Sequence, residues 1–209
     1  PDITSANCIL SRKIRMRQIK ILFVLLVPFV SFVQPSISVG ESLTINFKNL
    51  KSIPPDNLII IDTRSKFKYL LGHIPKAIHL GKWQDFTQNV KGVRGLLIKN
   101  PIFIVNKFNS YGIHPKKHIV IYGDPDDPWR TDGRFFWMFE RFGFNKVTIY
   151  EGGLKNWKNS GEKLEFGQGS ALAKPLLSVK DIRLNDEVSA KQQWILERLN
   201  SKTLAIIDN

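Results

Sequence analysis

The 209 residues contain one cysteine, Cys8, close to the start of the chain. A lone cysteine excludes an intramolecular disulfide and a CxxC metal site. From residue 39 onward there is no thiol at all, so that part of the chain has no thiolate to act as nucleophile or ligand. Histidine is scarce too: His73, His79, His114 and His118 show no HExxH-type spacing, and no metal is expected. The net charge is +13 without a basic stripe. Residues 1–38 carry five Lys/Arg and one Asp, and the remaining 26 Lys/Arg against 17 Asp/Glu leave about +9. This excess suits anionic small substrates, nucleic acid or a membrane surface, and clusters as short as Lys116-Lys117 are no nucleic-acid footprint, so nucleic acid is not expected.

What is present reads as a globular chain, 43% apolar and 23% charged. Residues 16–38 have the layout of a secretory signal: Met16 as a possible start, Arg17 and Lys20, an apolar run over 21–33, then Ser36-Ile37-Ser38 with small residues where a signal peptidase reads. The run of about 13 residues is short of the ~20 that span a bilayer. Cleavage and a periplasmic or secreted protein are therefore expected, with an uncleaved inner-membrane anchor as the alternative. Residues 1–15 are then leader or gene-call excess.

Leu58-Ile59-Ile60-Ile61 and Ile119-Val120-Ile121-Tyr122 are short continuous apolar runs, as in buried parallel strands. Each meets a polar segment, Asp62-Thr63-Arg64 and the loop 123–133, and ligands favour the carboxyl ends of such strands. Residues 77–80 and 146–150 read as further strands. Helices are expected over 65–71 with Ser65 as N-cap, over 82–89, over 95–110 with Pro101 as an interruption, over 134–142 and over 154–160. In the helix after the loop, Phe135, Met138, Phe139 and Phe142 fall at i, i+3, i+4, i+7, a core-facing stripe. Residues 166–178 read as a linker and 186–200 as a helix anchored by Ile195 and Leu199. The ending LAIIDN (204–209) is similar to LIIIDTR (58–64), which suggests a repeat. The expected organisation is a domain over 42–165, the linker, and over 179–209 the start of a second, truncated copy.

Several ordered segments together resemble the rhodanese, or sulfurtransferase, family. They are Ile60-Ile61-Asp62-Thr63-Arg64 followed by Gly72-His73-Ile74-Pro75-Lys76-Ala77, and Gly112-Ile113 before the strand ending in Tyr122. Then come Arg134-Phe135-Phe136-Trp137-Met138-Phe139, Gly143-Phe144 with 147–153 and Trp157, and Gly161-Glu162-Lys163-Leu164-Glu165. The resemblance spans about residues 55–165. It implies an α/β fold with a parallel sheet and helices on both faces. It also implies sulfur transfer through a cysteine persulfide, from a small anionic donor such as thiosulfate or 3-mercaptopyruvate to a thiophilic acceptor, with no cofactor.

The family's nucleophile follows the strand that here ends in Tyr122, and in this chain that position is Gly123. The resemblance is thus to the non-catalytic N-terminal domain of a tandem enzyme. The cysteine would come from the missing second domain in cis, and the visible domain alone is expected to be inactive. The alternative is a non-catalytic module for binding or regulation; a related Cys-dependent phosphatase finds no support in the loop. Asp124, Trp129, Arg130 and Arg134 are candidates for contacting substrate or the other domain, with Arg130 suited to an anion. Asp62, Arg64, His73, Pro75, Gly152, Gly153 and Trp157 are family-motif positions with structural roles. Lys76 departs from the motif's glycine. Asp124, Asp126 and Asp127 could form a carboxylate cage, but the flanking prolines and arginine favour a solvated loop.

Overall fold

The computed structural model describes residues 42–169, 177–203 and 205. The expected signal segment and all of 204–209 except Ala205 lie outside them. Among the described residues no helix is long and apolar enough to cross a membrane.

The apolar runs form the centre of a five-stranded sheet. Its strands are β1 (Thr44–Ile45), β2 (Leu58–Asp62), β3 (Ile78–His79), β6 (His118–Tyr122) and β7 (Val147–Tyr150). The order is β1-β7-β6-β2-β3 and every pairing is parallel. Side chains alternate across a sheet, so a continuous apolar strand needs cover on both faces. Ile59, Ile61, Ile119 and Ile121 face one core with α3 (Pro101–Tyr111) and α4 (Thr131–Arg141). Ile60, Val120 and Tyr122 face the other with α1 (Phe47–Ser52) and α5 (Gly153–Asn159). This is the expected α/β architecture. The α4 stripe of Phe135, Met138, Phe139 and Phe142 is fully buried. Phe108 of α3 meets Phe139 and Phe144 at ring-centroid distances of 5.3 and 5.5 Å.

Three helix expectations are corrected. Residues 82–89 form a short 3-10 turn, Trp83–Phe86, and then β4 (Thr87–Val90), which pairs antiparallel with β5 (Val93–Leu97). Lys91 and Gly92 join them with φ of 48° and 83°. Two consecutive left-handed residues give the primed two-residue turn that matches strand twist. Helix α3 then begins at Pro101, with Asn100 capping the amides of Ile102 and Phe103. Proline at the first helical position lacks only a donor that has no intrahelical partner there, so it starts the helix. Residues 186–200 hold only a 3-10 turn, Asp186–Val188, and the five-residue α6 (Gln192–Leu196). Leu199 is exposed, so no apolar face holds a longer helix. The remaining short helix, α2 (Lys66–Leu70), carries Ser65 as its N-cap.

Residues 177–188 lie along α3 and α4. Asn109 holds the backbone of Leu177 through both its amide atoms, at 3.0 and 2.8 Å. Trp137 donates to the carbonyl of Val188 at 2.7 Å, and the buried Arg141 pairs with Asp186. A Cβ on Gly143 would come within 2.5 Å of the Arg183 carbonyl oxygen, so this close approach requires glycine.

Candidate functional site

Strands β2 and β6 are neighbours in register, with Asp62 opposite Tyr122. Their carboxyl ends therefore bring the two polar segments together. Asp62 is completely buried, and its carboxylate accepts the Arg64 backbone amide at 2.9 Å. It also accepts the Arg64 guanidinium, with Nη2 at 2.6 Å, and the Tyr122 hydroxyl at 2.6 Å. Arg64 Nη2 donates as well to the Gly72 carbonyl at 2.7 Å, and the Ile74 amide donates to the Tyr122 oxygen at 3.1 Å. Burial and the adjacent carboxylate push the Tyr122 phenol far above its ordinary range, so it stays a donor. This network fastens the turn 72–75 to both strand ends.

His73 is buried in that turn. Its Nδ1 lies 2.9 Å from the Tyr69 carbonyl oxygen, which can only accept, so Nδ1 carries the proton. Its ring stacks on Tyr69 at 3.8 Å, and among the described residues Nε2 has no partner. Pro75 and the buried Trp157 line one cavity of about 340 Å³ on the α1 side of the sheet. Trp157 donates to the Lys163 carbonyl at 2.8 Å. Lys76 has φ 64°, so the turn keeps the left-handed backbone that the resembled motif's glycine suits, and its amide donates to Glu165. A lysine there costs about 1 kcal/mol. Lys76→Gly should stabilise the fold by roughly 0.5–1 kcal/mol in urea unfolding, less whatever the chain gains in unfolded-state freedom.

Gly123 opens the loop after β6. A Cβ there would lie 3.0 Å from Thr63 Oγ1 and 3.1 Å from Asp132 Cβ. From the other side, Gly153, with φ 51°, has room for no Cβ because the Gly123 carbonyl oxygen would be 2.7 Å away. Gly152, at φ 69°, precedes it as the N-cap of α5. The nucleophile position is thus enclosed by Thr63, Asp132 and the double-glycine turn.

The loop's carboxylates serve their own backbone and neighbouring bases. Asp124 pairs with Lys68, whose hydrogen bond holds its carboxyl below the ordinary value. Asp127 accepts the Trp129 amide at 3.0 Å, the Thr131 amide at 3.0 Å and the Thr131 hydroxyl at 2.6 Å. Partial burial works to raise its pKa, but these bonds outweigh it and the group is held low. Asp127 therefore holds the first residue of α4, Thr131, as an anion. Arg130, at φ 41°, turns its guanidinium onto buried Asp132, Nε at 3.1 Å and Nη2 at 3.0 Å. The residue that sequence reasoning matched to an anion is thus turned to an internal carboxylate. Arg134 instead lies over the Trp129 indole at 5.6 Å, and Trp129 is 68% exposed.

Two clefts flank the loop. One, of about 490 Å³, lies between the ends of β2 and β3 and the start of α4; Arg64, Lys66, His79, Lys82, Trp83, Trp129 and Arg134 are among its walls. The other, of about 400 Å³, includes Arg64, Lys68, Gly123, Asp124, Lys155 and Lys158. Sequence reasoning did not single out Thr63, Asp132, Lys66, Lys82 or Trp83. Hydroxyls at the site are engaged: Thr63 donates to the Tyr122 carbonyl at 3.1 Å, Thr131 to Asp127, and Ser65 caps α2. The arrangement offers cations and indoles for binding and no thiol for transfer.

Comparison with known proteins agrees with this geometry. The chain is 26% identical over 149 residues to 3-mercaptopyruvate sulfurtransferase of Mus musculus, covering 70% of this chain and 47% of the relative. It is 28% identical over 151 residues to thiosulfate sulfurtransferase of Pseudomonas aeruginosa, covering 72% and 53%. It spans about half the length of these curated relatives. The crystal structure of SseA from Escherichia coli, described as a 3-mercaptopyruvate sulfotransferase of "rhodanese" fold, superposes with a TM-score of 0.62. That match has 23% identity and covers 78% of this chain and 63% of SseA. Residues 47–160 match the family model of the rhodanese-like domain, and the chain belongs to that family.

Proposed function

We propose that this chain contributes the nucleophile-free rhodanese-like domain of an exported sulfurtransferase. Gly123 carries the proposal: it stands where the family's nucleophile follows the strand ending in Tyr122, and no cysteine occurs anywhere from residue 39 to 209. A second domain in cis, beginning over 179–209 after the linker 166–178, supplies a cysteine. Its thiolate attacks the sulfane sulfur of thiosulfate, breaking the S–S bond and releasing sulfite, or the thiol sulfur of 3-mercaptopyruvate, breaking the C–S bond and releasing the pyruvate enolate, which takes up a proton. The cysteine persulfide then passes its outer sulfur to a nucleophilic acceptor, which regenerates the thiolate. The present domain supplies binding surface, with Trp129 and Arg134 facing the substrate or the second domain. Identity to sulfurtransferases of about twice its span supports this reading. The signal-like segment 16–38 supports export to the periplasm or beyond.

The second reading is a non-catalytic binding or regulatory module, favoured by the engagement of the Thr63 and Thr131 hydroxyls. Mass spectrometry of the complete protein after exposure to thiosulfate labelled in its sulfane sulfur separates the two. One sulfur atom gained by a cysteine of the second domain is expected. A complete protein whose second domain has no cysteine, or gains no sulfur, leaves only the binding module.

A further inference from the structure

The two clefts beside the loop differ in how their charges are balanced. In the cleft of about 400 Å³, Lys68, Lys155 and Lys158 share the walls with Asp124 and Asp126, and Lys68 is ion-paired with Asp124. In the cleft of about 490 Å³, Arg64, Lys66, Lys82 and Arg134 converge and no carboxylate is among the walls. The nearest acids are already engaged. Asp62 is buried beneath Arg64, and Asp85 accepts the Lys82 backbone amide at 3.0 Å. Asp127 feels the charge of Arg134 but spends both oxygens on Trp129 and Thr131. His79 adds no charge at neutral pH: burial holds its pKa down while Nε2 donates to the Arg64 carbonyl.

Like charges gathered around one concavity repel each other, and the arrangement is relieved by a bound anion. Two of the cations are positioned rather than loose. Arg134 rests on the Trp129 indole, and Lys66 lies over the Tyr69 ring at 4.6 Å. Trp129 is a large indole left mostly in water, a costly placement that suits a binding wall. None of Lys66, Lys82 and Arg134 forms an ion pair with a described carboxylate, whereas Arg130 is committed to Asp132.

We propose that this cleft binds the compact oxyanion of a sulfur donor, with Arg134, Lys66 and Lys82 as its cationic contacts and Trp129 as its wall. Arg130 has no part in it; it positions the helix start. The proposal rests on the sulfur-transfer reading for the identity of the ligand and on the cleft alone for the binding. A thiosulfate-type oxyanion and a carboxylate share the chemistry that the cleft recognises.

The test is equilibrium binding to the 209-residue chain, read by tryptophan fluorescence and by calorimetry, with thiosulfate, sulfate and pyruvate as separate probes. Saturable binding of at least one is expected, and which one binds more tightly tells a thiosulfate-type donor from a carboxylate donor. Arg134→Gln combined with Lys82→Gln should weaken it by about tenfold or more, the loss expected for charged hydrogen bonds. Lys155→Gln combined with Lys158→Gln, which removes as much charge from the other cleft, should leave it within about twofold. No saturable binding, or equal weakening by the two pairs, overturns the proposal. If the first pair does not keep the far-ultraviolet circular dichroism of the parent, Lys66→Gln with Lys82→Gln takes its place under the same criteria. Binding needs no nucleophile, so its absence leaves the persulfide experiment standing. Binding without persulfide in the complete protein would remove sulfur transfer and keep the anion site.

Discussion

Asp62→Ala should be the most damaging single change at the site, costing about 3–5 kcal/mol in chemical denaturation. The carboxylate has no solvent exposure, and the Arg64 side chain beside it is only 9% exposed. Removing the acid leaves a buried guanidinium with the Gly72 carbonyl as its remaining hydrogen-bond partner and takes the acceptor from the Tyr122 hydroxyl. Arg64 keeps its charge throughout. Burial opposes it, but the Asp62 hydrogen bond and charge outweigh that and raise its pKa above the ordinary value. Asp62→Asn is the informative companion. It keeps an acceptor for Tyr122 but loses the charge, so it should fall between wild type and Ala. A loss under about 1 kcal/mol for Asp62→Ala would show that the network does not hold the strand ends.

The second large effect is expected from Gly123→Cys, which places a thiol where the family's nucleophile stands. It should destabilise the fold by about 1–3 kcal/mol through overpacking, since Thr63 and Asp132 already crowd a Cβ. It should not create a competent nucleophile. The Asp132 carboxyl carbon would lie 3.2 Å from the new Cβ, and a neighbouring carboxylate disfavours a thiolate. The Thr131 amide at the start of α4 is already taken by Asp127, so it is not free to donate to a thiolate. Alkylation of the variant by iodoacetamide across pH 6–9 checks this. Reaction slower than that of a free cysteine is expected, and fast alkylation at pH 6 would show a site still built for a thiolate.

The central strands and α4 were legible because their signal is local. Four apolar residues in a row before Asp62 or Gly123, and a stripe at helical spacing, can be read in a window of a dozen residues. The hairpin over 87–97 was not, because its strands expose Gln88, Asn89 and Arg94 and show no apolar alternation, while its turn is the unassuming pair Lys91-Gly92. Pro101 looks like an interruption in the sequence because its role as a first helical residue, next to Asn100, appears only once the helix start is known. At the site, Asp62 and Arg64 are two residues apart and their pairing could be expected. Lys66, Lys82 and Trp83 could not be joined to Arg134, because only the parallel pairing of β2 with β3, Asp62 opposite His79, brings those segments beside α4. The choice between Arg130 and Arg134 depended on one backbone angle. The left-handed Arg130 folds back on Asp132, and Arg134, one helical turn later, is left facing the cleft.

That the domain carries binding groups without a nucleophile is tested most directly by thiocyanate formation from thiosulfate and cyanide. The assay uses the 209-residue chain with Cys8→Ser, which removes its one thiol. A rate equal to that of the buffer is expected. Saturable turnover by this cysteine-free chain would contradict it and place a nucleophile in the loop after Tyr122 that needs no sulfur of its own.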